Sequence, residues 1–336
     1  MHNGSRKIFR LEVLALGVSI LFAPVPAGIA QSQTDLQSAI QLVKENKSSQ
    51  AVAALKSITS KNKQDAVAWY YLGVAYLEKP DLKKATDAFE KATSLKSDMA
   101  EAFTGLGYCY LRRGKLNVAK GATERSLSLQ PVSADAHYTL GIINLRMGDR
   151  DEALKNAEAA IKERPSMSEA YLLKAQSLVY FVSSVLVQVD DVKEERISRY
   201  RQAVTALEKY MELVPDSDDK TLWQEQLASL RAHSQLSENE VFTGKQVTTK
   251  VRLIKKPEPS YTESARQNLV TGTVVLKAVF AADGKVKYIL VVASLPDGLT
   301  ARAIDAARKI KFVPATKDGR TVSMYMQLEY NFNLYP

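Results

Sequence analysis

Few side chains in this sequence could do covalent or metal chemistry. One cysteine, Cys109, and three histidines, His2, His137 and His233, are scattered over 336 residues. A lone cysteine forms no internal disulfide, and no histidine stands beside Cys, Asp or Glu at metal-ligand spacing. Cys109 lies between Tyr108 and Tyr110 in a helical pattern, where a small packed side chain is the ordinary role and a nucleophile the exceptional one. No Ser/His/Asp set, phosphate-cradling glycine loop or carboxylate pair stands in a context that supports catalysis. Asp283-Gly284 and Asp318-Gly319 are turn pairs. The sequence therefore predicts no catalytic residue, no metal and no cofactor, and leaves recognition through backbone hydrogen bonds as the chemistry on offer.

The stretch suited to that chemistry is Val322–Phe332, the cleanest alternation in the chain. Val322, Met324, Met326, Leu328, Tyr330 and Phe332 point one way, while Ser323, Tyr325, Gln327, Glu329 and Asn331 point the other. Earlier elements must position it. Ser260-Tyr261-Thr262-Glu263 has capping-box spacing, with Ser260 and Glu263 expected to open a helix. Thr273–Phe280 alternates, Ala281-Ala282-Asp283-Gly284 turns, and Val286–Ala293 continues as a β-branched strand. Thr300–Lys309 reads as a helix with Thr300 as N-cap and Leu299, Ala303, Ala306, Ala307 and Ile310 on its apolar side. The order is helix–strand–strand–helix–strand. Because the first two strands form a hairpin, the third pairs outside them and is at least partly an edge. One sheet face should rest on the helices and the other should be polar. Ser323, Tyr325, Gln327, Glu329 and Asn331 are then the candidate partner-binding residues of the edge strand.

This stretch resembles the C-terminal domain of TonB-family proteins over roughly 75 residues. The resemblance is carried by Pro259-Ser260-Tyr261-Thr262-Glu263-Ser264-Ala265-Arg266, Gly272-Thr273-Val274-Val275-Leu276, Asp283-Gly284-Lys285-Val286, and Phe312-Val313-Pro314-Ala315-Thr316 with Asp318-Gly319. Thr262 replaces the family's proline, which should weaken a helix start, and Ile310 replaces a common tryptophan. The resemblance implies that the last strand pairs with a short peptide from an outer-membrane TonB-dependent receptor. About six ladder bonds at ~1 kcal/mol each match the cost of association in order of magnitude, so modest affinity is expected. The same open edge admits a second copy of the chain as a homodimer.

From Ala51 to Pro165 the sequence repeats every 34 residues. Ala51, Ala85, Ala119 and Ala153 recur, as do Leu72-Gly73, Leu106-Gly107 and Leu140-Gly141, and Pro131 and Pro165 close two repeats. Trp69-x-x-Leu72-Gly73-x-x-Tyr76 resembles the tetratricopeptide repeat. Glycines in mid-helix cost about 1 kcal/mol each, which close helix packing would explain. That resemblance places Tyr70, Val74, Tyr108, Leu111, Tyr138 and Ile142 in the concave groove; the same tyrosines could instead pack between repeats. A weaker repeat precedes at about 32–63. A fifth begins at Ser168 with 16 inserted residues, which predicts two lengthened helices meeting near Asp190-Asp191, or else a strand-like plug at Tyr180–Val189.

The expected fold class is α+β: a tetratricopeptide superhelix over 32–233, with its extended fifth hairpin at 168–215 and a capping helix at 221–233. A polar linker at 234–250 and a TonB-like domain over 251–336, a three-stranded antiparallel sheet with two helices, would follow. Residues 1–30 read as a signal peptide. Arg6, Lys7 and Arg10 precede the apolar Val13–Ala23, and Gly28-Ile29-Ala30 offers cleavage near Ala30. An uncleaved inner-membrane anchor is the competing reading, although the apolar run falls short of the ~20 residues a span needs. An exported, periplasmic location follows from cleavage.

Residues 31–246 hold 29 basic and 29 acidic side chains, and 247–336 hold 14 and 7. The excess could steer the C-terminal module to an acidic partner, a cell-wall polymer or lipid headgroups, or could simply keep an edge strand soluble. Nucleic acid is not an expected partner. Two functions fit: a peptide-coupling module linked to outer-membrane transport, or an envelope scaffold whose repeat groove binds the partner while the β module docks. Both are non-enzymatic and need protein or peptide partners.

Overall fold

The computed structural model describes residues 27–79, 81–184, 190–217, 219–235, 241–267 and 270–333. The charged and apolar parts of the expected signal peptide lie outside the described residues, as does the tip of the fifth hairpin at 185–189. Two compact units divide the rest. One ends at Gly148 and takes in Lys162–Arg164; the other is formed by Asp149–Ile161 and Pro165 onward.

The first unit is helical: α1 (Ala27–Lys44), α2 (Ser48–Lys61), α3 (Ala66–Glu78), α4 (Leu82–Leu95), α5 (Ala100–Arg112), α6 (Leu116–Leu129) and α7 (Ala134–Met147). Short polar side chains start several of them. Asp65 accepts from the Ala68 amide at 2.9 Å, Asp81 from Lys84 at 3.2 Å and Ser133 from Ala136 at 3.3 Å. The repeated glycines are contact points. A Cβ at Gly73 would lie 2.7 Å from the Phe89 ring, one at Gly105 2.6 Å from it, and one at Gly107 2.1 Å from Thr123 Oγ1. Phe89 of α4, fully buried, is thus wedged between α3 and α5 where only hydrogen can stand. That close packing offsets the propensity cost of glycine in mid-helix.

The second unit opens with α8 (Arg150–Glu163), α9 (Ser168–Ser184), α10 (Asp190–Leu213) and α11 (Lys220–Gln235). With 17 and 24 residues, α9 and α10 exceed the 13 or 14 of α3 to α7, which is where the inserted residues go. Then follow β1 (Val241–Phe242), β2 (Arg252–Lys255), α12 (Glu263–Gln267), β3 (Gly272–Phe280), β4 (Val286–Ala293), α13 (Leu299–Arg308), β5 (Lys311–Val313), β6 (Ala315–Lys317) and β7 (Arg320–Phe332). The main sheet has the order β1-β7-β3-β4, with β6 paired to β7, and β2 pairs with β5 in a separate ribbon.

The sheet departs from expectation in four ways. It has more than three strands, because β1 and β6 add to β7. Residues 234–250 are not a bare linker: β1 pairs in parallel with β7 through Val241↔Ser323 and Phe242↔Met324, and Thr249 bridges Thr316. The second sheet face is polar along β7, at Gln327, Glu329 and Asn331, but apolar over much of β3 and β4. Val274, Leu276, Ala278, Phe280, Leu328, Tyr330 and Phe332 pack with α12 and α13, while Leu290, Val292 and Val275 pack with α9, α10 and α11. The reason is visible in the alternation itself, since both sets of positions in β3 and β4 hold apolar residues. Finally, both caps shift by two residues. Thr262, not Ser260, opens α12, its Oγ1 accepting from the Ala265 amide at 3.1 Å and donating to the Asp297 carbonyl at 2.6 Å. Gly298, at φ 79°, precedes α13, and Thr300 instead sits in the first turn with its hydroxyl bonded to both the amide and carbonyl of Leu295.

Candidate functional site

The two borders of the sheet are finished in different ways. β7 runs antiparallel to β3 from Gly272↔Phe332 to Phe280↔Met324. On its other border β6 pairs with Arg320–Val322 and β1 with Ser323 and Met324. Beyond Met324 no strand among the described residues pairs with that border. Met326–Phe332 therefore has no strand partner on its outward side among the described residues, with outward backbone groups at alternate residues. One of them is already used: Lys256 Nζ donates to the Glu329 carbonyl at 2.7 Å while lying 4.5 Å above the Tyr330 ring.

The far border, β4, is closed by a side chain. Gln226 of α11, buried, donates from Nε2 to the Ile289 carbonyl at 3.0 Å and accepts at Oε1 from the Val291 amide at 2.8 Å. A primary amide offers one donor and one acceptor in the geometry of a peptide group, so it stands in for a neighbouring strand. No sequence signal singled out Gln226, since one glutamine on an amphipathic helix reads as solvent-facing.

The predicted edge-strand side chains separate into two groups. Ser323 Oγ accepts from the Ala282 amide at 3.2 Å. Tyr325 is half-buried, its ring 5.7 Å from His233 and 5.0 Å beneath Lys277 Nζ. Gln327, Glu329 and Asn331 are exposed; Gln327 Nε2 donates to Glu329 Oε1 at 3.0 Å and Asn331 Oδ1 accepts from Thr273 Oγ1 at 2.7 Å. The motif tyrosine, Tyr261, braces the end of β7: its ring meets Phe332 edge-on and its hydroxyl donates to the Val270 carbonyl.

Beneath Tyr325 lies a buried group that the sequence reading missed. Lys277 Nζ is 3.3 Å from the Tyr200 hydroxyl, and His233 stacks edge-on against Tyr200 at 5.5 Å and Tyr288 at 6.4 Å. Neither ring nitrogen of His233 has a hydrogen-bond partner. Burial, with Lys277 and Arg196 nearby, holds the His233 pKa down to about 3. Burial first, then Arg196, lowers the Lys277 ammonium to about 8.

In the first unit, Tyr70, Val74, Tyr108, Leu111 and Tyr138 are buried and Ile142 is half-buried. Tyr70 meets Tyr71 and Phe89 through ring contacts. Exposed polarity comes instead from arginines one repeat apart on α5 and α7. Arg112 donates to the Tyr108 hydroxyl at 3.0 Å and Arg146 to the Leu111 carbonyl at 3.3 Å. Cys109 is buried and its thiol is raised to about 12, chiefly by desolvation, as a packed rather than reactive side chain requires.

Comparison with known families matches two parts of the chain. Residues 257–334 match the family described as the Gram-negative bacterial TonB protein C-terminal domain, and residues 36–100 and 138–179 match the tetratricopeptide repeat. The chain carries tetratricopeptide repeats followed by a TonB-type C-terminal domain. Both are protein-binding modules, and the TonB-type domain is typical of Gram-negative envelope proteins. Among solved structures, a crystal structure of MamA is 22% identical over 53% of this chain and 94% of its own, with a TM-score of 0.41. YrrB, described as a tetratricopeptide protein with an unusual peptide-binding site, is 21% identical over 57% and 90%, at 0.41. PilW, a type IV pilus biogenesis factor, is 18% identical over 61% and 88%, at 0.49. Comparison with curated proteins found no match. No helix among the described residues is long and apolar enough to cross a membrane.

Proposed function

We propose that this chain is an exported, non-enzymatic adaptor of the cell envelope that captures an extended protein segment by adding it as a strand to the TonB-type domain. One observation supports the reading: from Met326 onward no strand among the described residues pairs with the outer border of β7, while Gln226 bonds the Ile289 carbonyl and Val291 amide of β4 at the opposite border. An incoming strand would pair with the outward groups of Met326–Phe332 and meet Gln327, Glu329 and Asn331, whose exposed side chains would choose among sequences. It would displace Lys256 from the Glu329 carbonyl, which sets a threshold for weak visitors. By resemblance, a peptide from an outer-membrane TonB-dependent receptor is the first candidate.

The experiment replaces Gln327 with proline, removing an amide from the open border. Capture of receptor-derived peptides should be lost while circular dichroism and the melting transition of the helices are retained. Unchanged capture would remove β7 as the binding border.

A second reading has its own observation, the Arg112 and Arg146 guanidiniums one repeat apart. They suit an acidic peptide lying across the helical repeats. Since Tyr108 and Tyr138 are buried, the test belongs at the arginines: Arg146→Glu should release an acidic partner, and retention would leave the repeats as scaffold alone.

A further inference from the structure

We infer that the outer face of the β2/β5 ribbon docks on an anionic lipid surface. The ladder pairs Arg252 with Val313, Leu253 with Phe312, and Lys255 with Lys311, with an irregularity at Ile254. Phe312 is buried and Leu253 packs against the same core, so the pairs on either side of them face outward. Ile254 is 64% exposed and Val313 39%; two of the six large apolar side chains standing exposed among the described residues fall on this one short ribbon. Cations share the ribbon with them: Arg252, Lys255 and Lys311. Residues 243–257 and 309–317 together contain eight basic side chains and no acidic one. Arg252, Lys255 and Lys311 are exposed, and among the described residues no carboxylate forms an ion pair with any of them.

Two features of this arrangement need an anionic occupant. Lys255 and Lys311 sit directly across the ladder, where like charges repel unless an anion lies between them. Apolar tips ringed by cations are the pattern by which proteins enter the headgroup layer of an anionic membrane, the apolar residues inserting and the cations meeting phosphate. A protein partner fits less well. The ribbon's strands have four and three residues, against the roughly 20–30 residues a side of a stable protein interface. Nucleic acid would give Ile254 and Val313 nothing to enter.

The test is co-sedimentation of the full chain with vesicles of phosphatidylcholine alone and of phosphatidylcholine with phosphatidylglycerol. Pure phosphatidylcholine measures what the N-terminal apolar stretch contributes, and Arg6, Lys7 and Arg10 add equally to the anionic increment of every variant, so the ribbon is read from the fall between wild type and variant. That increment should fall about fivefold for each cation removed in Lys255→Gln with Lys311→Gln, and should shrink at high salt. Ile254→Asp with Val313→Asp should lower it at least as far as the Gln pair does, and Ile254→Trp should give a blue-shifted emission on anionic vesicles only. These positions are exposed, so a retained melting transition is expected for each variant. An increment unchanged in both the Gln and Asp pairs would overturn the inference. So would binding of a soluble acidic polypeptide at the same residues with no increment on vesicles, which would assign the face to an acidic protein. Gln327→Pro should leave the increment intact, which separates this surface from the open border of β7.

Discussion

Lys277 and His233 make the second unit's stability a function of pH. Both are bases whose charged form burial disfavours, Lys277 at about 8 against 10.5 and His233 at about 3 against 6.5. A depressed base lowers stability wherever the unfolded chain binds the extra proton. The fold therefore gains from Lys277 as pH rises from 8 to 10.5, on the order of 3 kcal/mol in full, and loses from His233 as pH falls from 6.5 toward 3. The groups facing them are Arg196, Tyr200, Tyr288 and Tyr325. Lys277→Met should raise the unfolding free energy at pH 7 by about 1–3 kcal/mol, with a gain that shrinks toward pH 10.5; an equal gain at both pH values in chemical denaturation would remove the buried-cation account. His233→Phe should flatten the acid limb. In the repeats, Phe89→Ala should cost about 3–5 kcal/mol because the ring fills the space between Gly73 and Gly105. The repeat glycines and the motif tyrosine were legible because a 34-residue period and a short motif expose them. Lys277 was not, since one lysine in an alternating strand looks like any solvent-facing position until the face beneath it is seen to be apolar.

Among the elements, α11 contributes the most specific device. Gln226→Leu keeps the volume and deletes both bonds to β4, leaving the Ile289 carbonyl and Val291 amide unsatisfied in a buried setting. A loss of about 2–3 kcal/mol is expected in chemical denaturation, together with self-association through the newly opened β4. A stable monomer with an unchanged midpoint would show that the amide closes nothing. The order of helices and strands from α3 to β7 followed from hydrophobic period and turn pairs. β1 and the β2/β5 ribbon did not, because strands of two to four residues carry no period and are made by what they pair with. The cap at Thr262 shows the same limit: a residue read as a weak start serves as the cap because Asp297 is there to receive its hydroxyl.

For the whole molecule, the boundary between compact units falls after Gly148 and not in the 234–250 stretch where composition changes. The sheet depends on α9, α10 and α11 to cover Leu290, Val292 and Val275. A fragment of residues 247–336 should aggregate or melt at low denaturant, whereas 149–336 should unfold in one cooperative transition with Lys277 still shifted. A well-folded 247–336 fragment would show the sheet to be self-sufficient. Composition marks where polarity changes along a chain; it does not mark which surfaces need each other. The amide of Gln226 also limits valency. A sheet extensible at both ends can add copies of itself without limit and grow into a fibre. With one end terminated by a glutamine, growth stops after a single guest, or after one twin related by a two-fold axis.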